Sequence, residues 1–323
     1  MSDEMFTVKD FRRMATRDVY GKTLVDLGAK NEQIVVMSAD LKHSNKLIEF
    51  AEEYPNRFFN AGIAEQNMYG IAAGLATCGK IPFISTFAPF ATMRACEQLR
   101  TDIAYPNLNV KVVATHGGLS MGPGGTTHHA TEDLAIARAI ANVTVIVPAD
   151  GIATDRAIRA AAVHSGPVYI RLGRGAEPLL YNDSDCPFQL GKANVLKDGG
   201  DATVIATGRT VAEGLVAARE LEREGLSVRV VDMHTIKPID RDVIACACSQ
   251  TRLVATVEEH NILGGLGGAV AEIMAEMGTG VPLIRLGIPD IYSALGPHDD
   301  LLAKYGLTAP SIADVVRRAL AKR

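Results

Sequence analysis

The sequence predicts an α/β protein of two modules, a larger parallel-sheet domain followed by a smaller α/β domain. Short β-branched runs alternate with helical patterns along most of the chain, the rhythm of strand-helix-strand units built around a parallel sheet. Within the runs apolar residues are consecutive, with no polar residue at every second position, as expected when helices cover both faces of the sheet. The rhythm lapses once, between Gly173 and Asp201, where Pro178, Asn182-Asp183-Ser184-Asp185, Pro187 and Gly199-Gly200 cluster, and then restarts. With 323 residues in hand, this places a first domain at residues 1–185, a linker at 186–201 and a second domain at 202–323.

In the first domain the expected strands run from Ile34 to Met37, Ile81 to Ser85, Val110 to Ala114, Val143 to Val147 and Val168 to Leu172. Arg57 to Gly62 reads as one more short strand, ending in glycine. Met68 to Ala76 follows as a buried helix of small residues closed by Gly79. In the second domain strands are expected from Ala202 to Ala206, Ser227 to Val231, Leu253 to Val257 and Leu283 to Leu286. Helices are expected near Val211 to Glu224, Arg241 to Ser249, Ala269 to Met277 and Ser311 to Leu320.

Composition narrows the function classes. With 47% hydrophobic and 22% charged residues the chain can build large cores, and disorder is not expected. A formal net charge of -4, with no dense Lys/Arg cluster, gives no reason to expect nucleic acid. No apolar run approaches the roughly 18 residues of a membrane span, and Met1–Phe6 lacks the blocks of a secretion signal, so a cytoplasmic protein is expected. The five cysteines form no disulfide framework, and Cys246 and Cys248 read as buried structural thiols that diverge on a helix. No metal-ligand set is recognisable in this chain.

Three segments could carry chemistry. Glu65, in Gly62-Ile63-Ala64-Glu65-Gln66-Asn67-Met68, stands where the short strand gives way to an apolar helix. Desolvation there penalises its ionised form, which suits a proton-handling acid. The plainer reading is an acid stabilised by the helix dipole. The loop Thr115 to His129 sets His116, His128 and His129 among glycines just after a buried strand, where open α/β sheets bind ligands. Its glycines would let backbone approach a substrate closely, and its histidines could shuttle protons near neutral pH. Glu132 and Asp133 are expected to cap the helix that follows. In Pro82 to Phe90, Phe83, Phe87 and Phe90 could hold a planar heterocycle, although such a cluster is more often core. Glu258-Glu259-His260, ahead of the glycines at Gly264 to Gly268, reads as a packing and assembly element, its side chains more often a solvated strand end than part of an interface.

In this order the motifs resemble the C-terminal half of transketolases, over essentially the whole chain. Those that carry the resemblance are Ala15-Thr16-Arg17, Ser38-Ala39-Asp40-Leu41 with Ser44-Asn45, Glu65 in its helix, Ser85-Thr86-Phe87 with Phe90, and Thr115-His116 with Thr127-His128. The resemblance implies a pyrimidine-binding domain followed by a transketolase C-terminal domain. It implies that Glu65 partners the aminopyrimidine nitrogen of thiamine diphosphate and drives its imino tautomer, that Phe87 and Phe90 hold the pyrimidine, and that Asp40 and Ile63 line the pocket. It implies that Arg17, Ser44, His116 and Arg171 contact the phosphate of a sugar phosphate, which paired guanidinium hydrogen bonds suit. His128, and with it His116, would serve the reacting oxygens.

Two positions depart from the pattern. Gly124 stands where many transketolases have an aspartate that reads a substrate hydroxyl, and Met93 where an aromatic often completes the pyrimidine pocket. No Gly-Asp-Gly with a following Asn occurs, so the diphosphate and its magnesium or calcium ion are expected on a partner. That makes this chain the second subunit of a split transketolase of α2β2 form, self-associating across the pyrimidine-domain interface. Its expected partner is an N-terminal subunit that carries the diphosphate-binding domain. The nearest alternatives are a 2-oxoacid dehydrogenase β subunit, which usually shows Gln-His-Ser-Gln where this chain has Thr127-His128-His129-Ala130, a deoxyxylulose phosphate synthase-like subunit, and a non-catalytic regulatory paralogue.

Overall fold

A computed structural model of the chain describes residues 7–183 and 185–322, so Met1–Phe6 and the secretion reading attached to them lie outside the described residues. The first part of the chain runs β1 (Arg13–Ala15), α1 (Thr16–Lys30), β2 (Ile34–Ser38), α2 (Ile48–Glu53), β3 (Phe58–Asn60), α3 (Glu65–Thr77) and β4 (Ile81–Phe87). Two π-helical turns, Phe90–Arg94 and Leu99–Ala104, then flank the short α4 (Cys96–Gln98). It continues with β5 (Lys111–Thr115), α5 (Asp133–Ala139), β6 (Thr144–Ile146), α6 (Gly151–Val163), β7 (Val168–Arg171) and β8 (Ala176–Pro178). The second part is β9 (Asn194–Lys197), β10 (Ala202–Ala206), α7 (Thr210–Arg223), β11 (Val228–Asp232), β12 (Thr235–Lys237), α8 (Arg241–Gln250), β13 (Val254–Asn261), α9 (Leu266–Glu276), β14 (Leu283–Ile288), α10 (His298–Lys304) and α11 (Ala309–Ala321).

Among the described residues, two large sheets and one short ribbon form. The first sheet has the order β12-β6-β7-β5-β4-β2-β3, parallel throughout except for β12; the second has the order β14-β13-β10-β11-β9, with only β9 antiparallel. Strands β2, β5, β10 and β11 are buried along their whole length, which is why their sequences carry no alternation. β1 pairs with β8 as the ribbon. Side-chain caps start several helices: Asp150 Oδ1 accepts the Ala153 N–H of α6 at 2.8 Å, and Asp240 does the same for α8.

The structure departs from the expected organisation in two places. The segment expected as a linker contains β9, which adds an antiparallel edge to the second sheet, Val195 facing Val231. Turn residues on either side hide so short and half-exposed a strand. β12, after the second domain has begun, returns to the first sheet and pairs with β6, Thr235 against Ile146. Met233 and Ile236 thereby join Val145 and Val147 in one core that runs on to Ile205, Val231 and Leu266, so the two domains share buried apolar surface.

Smaller corrections have local causes. Glu132 and Asp133 do not cap α5; Asp133 is fully buried and accepts the Tyr169 hydroxyl at 2.7 Å. Cys246 and Cys248 are half-buried, and Cys246 Sγ accepts from Arg229 Nη1 at 3.4 Å. No helix of the described residues is long and apolar enough to cross a membrane.

Candidate active site

Parallel order puts the C-terminal ends of β2, β3, β4, β5 and β7 along one edge of the first sheet, and the sequence-predicted residues collect there. Glu65 opens α3 just beyond β3 and is 1% exposed. Met68, Tyr69 and Ala72 supply the expected apolar backing. Its carboxylate nevertheless has polar partners. Arg94 Nη1 donates to Oε1 at 3.0 Å and to Oε2 at 2.9 Å, and the Thr86 hydroxyl donates to Oε1 at 3.3 Å. The Arg94 guanidinium also lies 4.2 Å from the centroid of the Phe90 ring. Nothing in the local pattern pointed to Arg94, because the π-helical turn that carries it shifts which residues share a face.

Phe87 and Phe90 come together at the sheet edge. Phe87 ends β4 and Phe90 opens the π-helical turn; their ring centroids are 5.8 Å apart with 26° between planes. The histidine loop closes the cup. His116 lies 3.9 Å from the Phe87 ring and His128 stands edge-on to Phe90 at 5.4 Å. His129 points elsewhere: it is buried and its Nε2 hydrogen-bonds the Gly122 carbonyl at 3.0 Å. Met93 is half-exposed beside the cup.

His116 is held hard. It adopts φ +60°, unusual for a residue with a side chain, and its Nδ1 shares a 2.8 Å hydrogen bond with the Thr115 hydroxyl, which donates to Asn45 Oδ1 at 2.7 Å. Burial, followed by the charges of Arg17 and Arg174 and by His128, pushes its imidazole down to about 3. In this state it is neutral at pH 7 and placed to hydrogen-bond. Arg17 lies alongside, donating from Nη1 to the Ser44 carbonyl at 3.0 Å. Burial, and then Arg174 against the opposing pull of Asp18, lowers the Arg17 guanidinium, which stays charged.

Arg171 is a correction. It lies within β7, is 5% exposed, and is consumed by the protein: Nε is 3.1 Å from Asp133 Oδ2, while Nη2 donates to the Ala130 and Glu259 carbonyls at 2.9 and 2.7 Å. Arg174, exposed and three residues further on, past the strand end, is the cation whose field reaches Arg17 and His116. Position was the missed signal, since ligand contacts in such sheets come from beyond the strand. Asp40 and Ile63 sit on the rim. Asp40, at φ +58°, exchanges two 3.0 Å hydrogen bonds with Asn60, and Ile63 is 79% exposed.

The glycines of the loop turn mostly toward protein. A Cβ on Gly117 would meet Arg171 Nε at 2.5 Å, on Gly118 Glu259 Cδ at 2.6 Å, and on Gly122 the Gly296 carbonyl oxygen. Only Gly124 faces its own loop, with Met121 Cγ at 2.8 Å and His128 Cβ at 3.1 Å. Glu258-Glu259-His260 is likewise no solvated strand end, all three being buried. Glu258 takes the Leu266 and Gly267 N–H groups at the start of α9, at 2.6 and 2.8 Å, and His260 bridges the Asn261 carbonyl and the Ala135 N–H.

Two aromatic rings and a buried carboxylate stand together at this sheet edge, residue types that suit a planar heterocycle with a basic ring nitrogen. No Gly-Asp-Gly segment occurs in the sequence.

Comparison with known proteins bears on the same residues. Residues 12–178 match the family model described as transketolase, pyrimidine binding domain, and residues 191–312 that of transketolase, C-terminal domain. A Methanocaldococcus jannaschii protein named as a transketolase C-terminal section is 48% identical over 95% of this chain and 96% of its own. A 6-deoxy-6-sulfo-D-fructose transketolase subunit of a Clostridium species is 41% identical over 92% of this chain and 91% of its own. A solved structure described as a split gene transketolase, inactive β4 tetramer, superposes with a TM-score of 0.87 at 48% identity, covering 95% of this chain and 98% of that one.

Proposed function

Since this chain belongs to the transketolase family, we propose that it is the second subunit of a split transketolase, moving a two-carbon ketol unit from a ketose phosphate to an aldose phosphate with thiamine diphosphate. The observation that carries the reading is a buried carboxylate, Glu65, at the same sheet edge as the paired rings of Phe87 and Phe90, in a chain without a Gly-Asp-Gly diphosphate segment.

When bound, the cofactor supplies the carbanion-stabilising chemistry. Everything else asked of this chain is binding and proton handling. Glu65 holds the proton shared with the aminopyrimidine nitrogen, with Arg94 and Thr86 fixing the carboxylate's orientation. Phe87 and Phe90 take the ring faces. Asp40 and Ile63 form the rim that the partner subunit covers. Arg17, Ser44, His116 and Arg174 surround the substrate phosphate, and the two guanidinium cations match a dianion. His128 serves proton transfer at the reacting oxygens. The partner, an N-terminal subunit with the diphosphate domain, holds the diphosphate and its magnesium or calcium ion, and the exposed Gly70, Ile71 and Gly74 face of α3 belongs to the assembly. The similar split-gene protein is described as an inactive β4 tetramer, and self-association without turnover is expected of this chain by itself. A cytoplasmic location accords with phosphorylated sugars as substrates.

The test is reconstitution. Mixed with a diphosphate-domain partner, the chain should turn over ketose and aldose phosphates in a coupled assay, and the isolated chain should not. Robust activity of the isolated chain refutes the split arrangement. Turnover of pyruvate in preference to ketose phosphates reassigns the chain to one of the related thiamine enzymes.

A further inference from the structure

Gly118, Gly122 and Gly125 of the histidine loop share one property: each lacks a side chain where the second domain presses closest. Opposite them stand Glu259, the Gly296 and His298 backbone, and the Leu295 side chain. Glu259, in β13, is almost fully buried, and its Oε1 accepts two hydrogen bonds, from the Leu119 N–H at 2.6 Å and from His298 Nε2 at 2.7 Å. Its own carbonyl is gripped by Arg171 Nη2. Leu119 is three residues from His116, and the intervening Gly117-Gly118 pair, one of them at φ +60°, has no side chain of its own to hold it.

We propose that Glu259 and His298, from the second domain, are positioning residues for the first domain's catalytic loop. Glu259 Oε1, held by His298, accepts from the Leu119 N–H and thereby sets where His116 and His128 meet the substrate. The inference rests on the loop having the role proposed above. The charge pattern adds to this hydrogen-bonded anchor. Burial disfavours charge on both partners, but the attraction and hydrogen bond between them outweigh it, raising the His298 imidazole and, with Arg171 and Arg209, lowering the Glu259 carboxyl. A gap of 140 residues separates Glu259 from Leu119, so the contact exists only once both domains are docked.

The test uses the full-length chain carrying Glu259→Ala, Glu259→Gln, His298→Ala or, as a control for general destabilisation, Val216→Ala in the core of the second domain. Amide hydrogen exchange of the 117–128 segment, read by mass spectrometry on the chain alone, should quicken about 10-fold or more in Glu259→Ala and His298→Ala and stay near wild type in Glu259→Gln, which keeps an acceptor oxygen. In the reconstituted complex kcat should fall about 10- to 100-fold in the alanine variants, with rescue in Glu259→Gln, because misplacing a catalytic group by about 1 Å costs on that order. Unchanged loop exchange in the alanine variants overturns the proposal. So does Val216→Ala matching their exchange and kcat losses at equal loss of Tm. If Glu259→Ala does not fold, His298→Ala decides. If the wild-type complex performs no ketol transfer, the functional reading fails, and loop exchange alone still decides whether this pair is the anchor.

Discussion

At the scale of single residues, charge pairing separates side chains that look alike in sequence. Glu65 is buried but ion-paired with Arg94, so it leaves no uncompensated charge in the core. Glu65→Gln keeps the shape and removes the proton site. The reconstituted complex should lose about 10²- to 10⁴-fold in kcat while its melting temperature changes little, measured by coupled assay and calorimetry. Full activity in that variant would favour a regulatory paralogue. Arg171 and Arg174 diverge more sharply. Arg171→Ala strands Asp133 without its cation at 0% exposure and should cost about 3–5 kcal/mol in urea unfolding. Arg174→Ala should leave unfolding unchanged and raise KM for the phosphorylated substrate. A reversed outcome for this pair would return Arg171 to the substrate site.

At the scale of elements, α3 shows how one helix serves two masters. Met68, Tyr69, Ala72 and Ala73 pack into the first domain's core, whereas Gly70, Ile71 and Gly74 face outward, and a Cβ on either glycine would meet nothing within 4 Å. Glycine in a helix interior costs about 0.5–1 kcal/mol relative to alanine, so an exposed face that retains two of them gives up local stability for close approach by another surface. Gly74→Ala should therefore raise the melting temperature of the isolated chain yet weaken its assembly with the partner, measured by thermal unfolding and by analytical ultracentrifugation. Tighter assembly in that variant would show that no backbone approaches α3 there. The histidine loop follows the same logic in reverse: its glycines were expected to admit a substrate, and most of them admit the second domain.

At the scale of the whole molecule, the two sheets are locked by shared apolar core and by polar groups buried at their junction. Asp232, at the end of β11, accepts the Tyr181 hydroxyl at 2.7 Å and is fully buried. Burial, with Asp150 nearby and against the Tyr181 hydrogen bond, raises its carboxyl from 3.8 to about 7. The folded protein therefore binds a proton there that the unfolded chain releases between those values. The stability this proton contributes is fully present below pH 3.8 and is lost as pH rises through about 7. Asp232→Asn, which still accepts from Tyr181, should flatten that fall, so that urea unfolding at pH 8 shows a gain over wild type that vanishes at pH 4. Equal pH dependence in the two proteins would place the titration elsewhere.

The sequence by itself determined what neighbours along the chain decide. Consecutive apolar runs marked the buried parallel strands, the strand-to-helix switch marked Glu65, and the histidine loop stood out by composition, because periodicity and turn chemistry act within a few residues. Tertiary structure decided which charges are free. Arg94 reaches Glu65 across 29 residues, Arg171 is spent on Ala130 and Glu259, Glu259 holds Leu119 across 140 residues, and β12 crosses to the other domain's sheet. Burial and ion pairing are set by groups that become neighbours only on folding, so whether an arginine waits for a substrate or braces a core is fixed by packing.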